Sequence, residues 1–176
     1  MTDTPYKAAI VGLGYIGGAD QVSGDALGQL VEDLDGTHIE ALAKHPKVDV
    51  VAGSSRDLGR RQRFTERTGI PTYADWQEML QKEDLDIVAV ATYTPVHEEI
   101  TVTCAQQGVR AILCEKPIAT VVQEADRLIL GEQETDKMVV IGYQAISTPA
   151  IQTIKTRLLE GKLGRVKSIH VKGGWP

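Results

Sequence analysis

The 176-residue chain has little of several things. Only two cysteines occur, Cys104 and Cys114, without C-x-x-C spacing or neighbouring histidines. This pattern excludes a disulfide scaffold and a cysteine zinc site and leaves two reduced, structural thiols, as in a cytoplasmic protein. Aromatic residues are 5% of the chain, so its core must be aliphatic. No stretch approaches the ~18 apolar residues of a membrane span, and Ala8 to Leu13 is too short and glycine-broken for a secretory signal. Positive charge is also short: 19 Lys and Arg against 24 Asp and Glu give a net charge of -5. Without a basic field to displace counterions, neither nucleic acid nor an anionic membrane is an expected partner.

What is present is ordinary globular composition, 42% apolar and 24% charged, in a length that suits one full domain with little over for a second. Short β-branched runs recur at Ala8 to Leu13, Val48 to Ala52, Ile87 to Ala91, Ala111 to Leu113 and Met138 to Ile141. Helical patterns separate them at Asp57 to Thr68, Asp75 to Gln81, Val96 to Gln107 and Thr120 to Glu134. This alternation predicts a doubly wound, parallel α/β sheet with its ligand site outside the carboxyl ends of the strands. Ser54, Ser55 and Asp57 are candidate caps for the helix that Gly69-Ile70-Pro71 ends, and Gly108 ends a later one. The polar, acidic stretch from Ala19 to Gly36 reads as a mobile insertion. After Tyr143 the pattern changes to a helix over Pro149 to Glu160 and a basic, strand-like run over Arg165 to Lys172. We therefore expect a nucleotide-binding domain over 1–145 and only the beginning of a second α/β domain over 146–176.

Directly after the first run stands Gly12-Leu13-Gly14-Tyr15-Ile16-Gly17, a G-x-G-x-x-G. In that place the first glycine serves a tight turn, the second lets backbone approach a pyrophosphate, and the third lets helix pack closely on strand. A helix ordinarily follows at once, but the insertion intervenes before His38 to Lys44, which leaves the helix start open. The second run leads into Ser54-Ser55-Arg56-Asp57. A carboxylate there would hold both adenosine ribose hydroxyls and repel a 2′-phosphate; Ser55 stands in its place. Ser55 can donate to a phosphate and Arg56 can pair with it or lie over adenine, which favours NADP over NAD. Asp57 is the competing reading, either as the ribose acceptor of an NAD site or as a helix cap. Arg60, Arg61 and Arg63 read as a solvated helix face.

Three further strings complete the pattern: Thr92-Tyr93-Thr94-Pro95-Val96-His97, Glu115-Lys116-Pro117 and Glu160-Gly161-Lys162-Leu163-Gly164. With the glycine loop they resemble, in order and over essentially the whole chain, the Gfo/Idh/MocA family of NAD(P)-dependent oxidoreductases. The resemblance implies a Rossmann fold and cofactor contacts at Gly12 to Gly17, Ser55, Arg56, Thr92, Tyr93, Thr94 and His97. It further implies that Glu115 touches the nicotinamide ribose, that Lys116 is the catalytic residue near nicotinamide and substrate hydroxyl, and that Lys116-Pro117 is cis. An ammonium beside a reacting carbinol stabilises developing alkoxide, which is the chemical reason for a lysine there. His97 is assigned to supporting the cofactor loop. His38, within a string resembling the family's first helix, is read as structural, while His45 and His170 carry no signal.

Two departures accompany the resemblance. Tyr93 replaces the usual proline of its string, and Gly142 to Pro149 lacks the basic residue that many members carry before the next helix. Family chains also continue into a domain that closes the active site and supplies a histidine; beyond its first helix and strand that domain is expected to be missing. The implied function is hydride transfer between a nicotinamide and a secondary alcohol or ketone of a sugar or polyol such as a cyclitol. The full-length form would be a homo-oligomer, and the metal requirement none. Alternatives are a non-catalytic NAD(P)-binding or sensor module, for which Lys116 has no use, and a scaffold without nucleotide affinity.

Overall fold

The computed structural model describes residues 4–22 and 36–170. The expected mobile insertion falls largely on residues 23–35, outside the described ones. The chain divides into two compact units, Met1–Gly142 and Tyr143–Pro176, against the expected division after Ala145.

The first unit is built on six parallel strands: β1 (Tyr6–Val11), β2 (Val48–Ser54), β3 (Thr72–Tyr73), β4 (Ile87–Val90), β5 (Ala111–Cys114) and β6 (Met138–Ile141). Their order is β3-β2-β1-β4-β5-β6, so β1 lies centrally and the order reverses between β1 and β4. Each of the five β-branched runs between Ala8 and Ile141 forms a strand, and β3 is an addition. Two residues carry no readable period, and β3 exists because it pairs with Gly53 and Ser54 of β2.

Strand alternation divides the core between the two faces of the sheet. Ala8, Ile10, Val50 and Ala89 share one cluster with Leu13, Ile39 and Phe64. Ala9, Val11, Ala52, Val88 and Ile112 share the other with Met79, Leu80, Ile100 and Cys104. The first face is covered by α2 (His38–Ala43) and α3 (Leu58–Thr68), the second by α4 (Trp76–Lys82) and α5 (His97–Gln106). Burying aliphatic side chains on both faces needs no aromatic content, which is why 5% suffices. Cys104 and Cys114 are buried thiols, and burial pushes Cys104 up to about 12.

Local chemistry sets the helix ends. Asp57 caps α3 by accepting from Arg60 N at 2.8 Å, and Asp75 caps α4 by accepting from Gln77 N at 2.8 Å. The helix inside the glycine motif, α1 (Tyr15–Gly18), is a single turn ended by Ala19 at φ +56°. A sixth long segment, α6 (Val122–Thr135), connects β5 to β6, with Glu124 accepting from the Thr120 N–H at 2.8 Å before its first turn.

In the second unit, a 3-10 turn (Gln144–Ser147) precedes α7 (Pro149–Leu159), where Pro149 occupies the first turn. The expected strand over Arg165 to Lys172 is not formed at 165–170, where the backbone has no regular structure; 171 and 172 lie outside the described residues. A strand is held by a neighbour's ladder, and no described residue pairs with this run. No helix among the described residues is long and apolar enough to cross a membrane.

Candidate functional site

The strand order places the exits of β1, β2, β4 and β5 side by side along one edge. Backbone bonds continue the ladders past the strand ends: Gly12 N donates to Ser54 O at 2.9 Å, Ala91 N to Val11 O at 2.7 Å, Glu115 N to Val90 O at 2.9 Å and Gly142 N to Cys114 O at 2.8 Å. The loops carrying the motifs therefore start from fixed positions. Above them opens a cleft of about 740 Å3, within the range of small-molecule and cofactor sites. Its lining includes Gly12, Gly14, Tyr15 and Ile16 at the glycine loop, Ser55, Arg56 and Asp57 at the β2 exit, and Thr92, Tyr93, Glu115 and Lys116 beyond.

The glycine loop is tight by necessity. Gly12 has φ +102°, and a Cβ on it would lie 2.3 Å from Ala91 O; a Cβ on Gly17 would lie 1.9 Å from Gly12 O. Leu13 does not line the cleft: it is fully buried in the core against Phe64 and Ile39, so its part in the loop is packing. Gly17 is likewise buried and serves the close approach. Because α1 has only four residues, it contributes little macrodipole, and an anion at this loop depends on backbone N–H groups.

A second layer holds the loop from behind. Arg63 donates to both carboxylate oxygens of Asp20, Nε to Oδ1 at 2.9 Å and Nη2 to Oδ2 at 2.7 Å, and Arg67 donates to Gly18 O. Burial raises the Asp20 carboxyl, but the Arg63 bonds and charge outweigh it and hold the group below its ordinary range. The reading of Arg60, Arg61 and Arg63 as a solvated face is thus corrected. Helical spacing puts residues 60, 63 and 67 on one face, here turned to the glycine loop. Arg61 Nη1 donates to Ser55 O at 2.6 Å and Arg56 O at 3.1 Å, bracing the β2 exit.

At that exit the Ser55 hydroxyl accepts from Asp57 N at 3.3 Å, and the Arg56 guanidinium lies 5.7 Å from the Tyr93 ring centre. The Asp57 carboxylate is engaged at the helix start, as the capping reading has it. Beyond β4, the Thr92 hydroxyl is buried without a hydrogen-bond partner among the described residues. Thr94 opens a 3-10 turn, Thr94–Val96, leading into α5. Buried His97 has Nδ1 2.9 Å from Pro117 O and Nε2 3.0 Å from Thr92 O, and a neutral ring donates to one of the two. It joins the β4 loop to the β5 loop and does not line the cleft.

The Glu115-Lys116-Pro117 turn follows β5, and its Lys116-Pro117 peptide is cis. Glu115 is 6% exposed; Oε1 accepts from His38 Nε2 at 3.0 Å and Oε2 from Lys116 N at 3.1 Å. Burial raises this carboxyl, and the His38 bond, followed by the Lys116 N–H, more than offsets it, so the group lies below its ordinary range. The exposed Lys116 side chain borders the cleft. His38, placed by the sequence in a structural role on α2, touches the site through this bond. Only its position in the first-helix string could have signalled it, since the partner lies 77 residues away.

The donor set fits a dinucleotide: loop N–H groups for a pyrophosphate, Ser55 and Arg56 at one end, a buried unpaired hydroxyl at Thr92, and an ammonium at the other end. Among the described residues no cluster of His, Cys, Asp or Glu could hold a metal ion.

A doubly wound parallel sheet with a glycine loop at its switch point and a cleft along its carboxyl edge defines the nucleotide-binding α/β class. A family model described as "Oxidoreductase family, NAD-binding Rossmann fold" matches residues 6–143, and the chain belongs to this family, Gfo/Idh/MocA. It is 30% identical over 141 residues to trans-1,2-dihydrobenzene-1,2-diol dehydrogenase of Xenopus laevis, a match covering 78% of this chain and 42% of the relative. It is 27% identical over 167 residues to inositol 2-dehydrogenase of Salmonella typhimurium, covering 93% and 44%. The fold matches the WlbA dehydrogenase of Bordetella pertussis, solved in complex with NADH and UDP-GlcNAcA, with TM-score 0.76 at 22% identity, covering 94% of this chain and 42% of that one. The chain thus spans less than half the length of these relatives.

Proposed function

We propose that this chain binds NADP in preference to NAD and serves hydride transfer between the nicotinamide and a secondary alcohol or ketone of a sugar or cyclitol. The observation that carries this reading is the single cleft lined by the glycine loop, the Ser55-Arg56 exit and Lys116.

Bound NADP would supply the hydride acceptor at nicotinamide C4. The chain's residues do the rest. Loop N–H groups beyond Gly12 and up to Gly17 would take the pyrophosphate, with Tyr15 and Ile16 along its path. Ser55 and Arg56 would pair with the 2′-phosphate; no carboxylate stands at Ser55, and the Asp57 carboxylate is engaged with Arg60 N. Thr92, Tyr93 and Thr94 would flank the cofactor, with His97 holding their loop to the Pro117 turn. Lys116 would orient the carbinol oxygen and stabilise it as the hydride leaves and the hydroxyl proton passes to a base. That base is assigned to no residue here. On this reading the chain binds cofactor in the cleft. Its setting would be cytoplasmic, with a small sugar or polyol as partner and a homo-oligomeric full-length form.

Calorimetric titration with NADPH and, separately, NADH tests this. We expect NADPH to bind at least about tenfold more tightly, since one charge-assisted pair is worth ~1.5–3 kcal/mol. Ser55→Asp should reverse the order by repelling the 2′-phosphate. Equal binding would remove the NADP preference, and binding of neither would remove the cofactor reading in favour of a scaffold.

A further inference from the structure

We infer that His38 is a positioning residue for the Lys116 end of the cleft, acting through Glu115 to fix the turn from which the Lys116 ammonium projects. The inference rests on the cofactor reading of the cleft and deepens it.

A carboxylate 6% exposed is costly to bury unless it is paired and hydrogen-bonded. Glu115 is bracketed from three directions. His38 of α2 reaches Oε1 at 3.0 Å, the Lys116 N–H reaches Oε2 at 3.1 Å, and the backbone at Gly142 beyond β6 forms a wall. A methyl group at Gly142 would stand 2.8 Å from Oε1, so this carboxylate has no room to swing that way. Its second oxygen holds the N–H of the residue that matters. On the far side of Lys116, the Pro117 carbonyl faces the ring of buried His97 at 2.9 Å. The turn is therefore held on both sides of the Lys116 side chain by buried groups, at the Lys116 N–H through Glu115 from His38 and at the Pro117 carbonyl by His97. The lysine's own ammonium makes no hydrogen bond or ion pair with the described residues.

A frame of this kind is not what stability alone asks for. A buried, hydrogen-bonded carboxylate is commonly matched or bettered by apolar packing of the same volume, so its placement beside one exposed lysine argues for geometry. His38 lies in an element far along the chain from that turn, does not itself line the cleft, and reaches it only through Glu115. Removing it would leave Glu115 buried with one partner lost, free to release the Lys116 N–H and let the turn reorient.

The test compares NADPH with 2′-phospho-ADP-ribose, which lacks the nicotinamide, by calorimetry on the wild-type chain and on His38→Ala, His38→Gln and Lys116→Ala. In the wild type NADPH should bind about tenfold more tightly, the size of one charge-assisted contact. His38→Ala should bring the two ligands to within about twofold of each other while leaving 2′-phospho-ADP-ribose unchanged, which also shows that the variant folds. His38→Gln, whose amide can still donate to Glu115, should restore part of the difference. Lys116→Ala should abolish it, and the double variant His38→Ala, Lys116→Ala should lose nothing more. Equal weakening of both ligands in His38→Ala, or no change in their ratio, overturns the positioning role. Binding of neither ligand by the wild type overturns the cofactor reading itself, and the inference with it.

Discussion

Among the described residues, Asp20 and Glu115 are the two buried carboxylates whose charge is held by named partners, and they make opposite demands on sequence reading. Glu115 was legible because its tripeptide is distinctive; Asp20 was not, because an acidic residue opening a polar stretch looks solvated. What decides Asp20 is Arg63, which is 43 residues away and visible only once α3 is folded against the loop. Both carboxyls are held below their ordinary values, so each contributes stability that is present above the unfolded pKa and lost as pH falls through the folded one. Denaturant unfolding at a series of pH values should therefore show stability declining below about pH 4.5. Asp20→Asn should flatten that decline and cost ~1–3 kcal/mol at pH 7, where a hydrogen-bonded charge is lost beside Arg63. An unchanged acid limb in this variant would show that the pair contributes nothing measurable.

At the scale of elements, apolar strand runs and periodic helices were readable, and the two-residue β3 and the single turn α1 were not. The strand run Met138 to Ile141 matches β6 residue for residue, and α3 departs from its expected span only in that Asp57 caps it. Tertiary pairing alone creates β3, and α1 is a single turn that ends where Ala19 takes φ +56°. The run expected as a strand after α7 has the right composition, and at 165–170 it has no strand partner among the described residues. On α3, Phe64 is fully buried and packs in one core cluster with Leu13 beneath the glycine loop. Phe64→Ala should destabilise by ~3–5 kcal/mol, the usual cost of emptying a buried aromatic site. Asp57→Ala should cost ~1 kcal/mol as a lost cap. Thermal or urea melts check both; a Phe64→Ala loss under ~1 kcal/mol would mean that this face of the core repacks freely.

For the molecule as a whole, the family, the fold and the edge of the sheet that bears the cleft were legible from the glycine loop and the Glu115-Lys116-Pro117 string. The cross-chain contacts, Asp20 with Arg63 and His38 with Glu115, were not, because no local signal encodes a partner across the fold. The central claim is that one cleft receives a dinucleotide end to end, its 2′-phosphate at Ser55 and Arg56 and its nicotinamide at Lys116. A crystal structure of the chain grown with NADPH tests it most directly. We expect the pyrophosphate against the backbone of residues 12–17, the 2′-phosphate on Ser55 and Arg56, and the nicotinamide within reach of the Lys116 ammonium. A nucleotide bound elsewhere, or lying in the cleft with its nicotinamide turned away from Lys116, would contradict it.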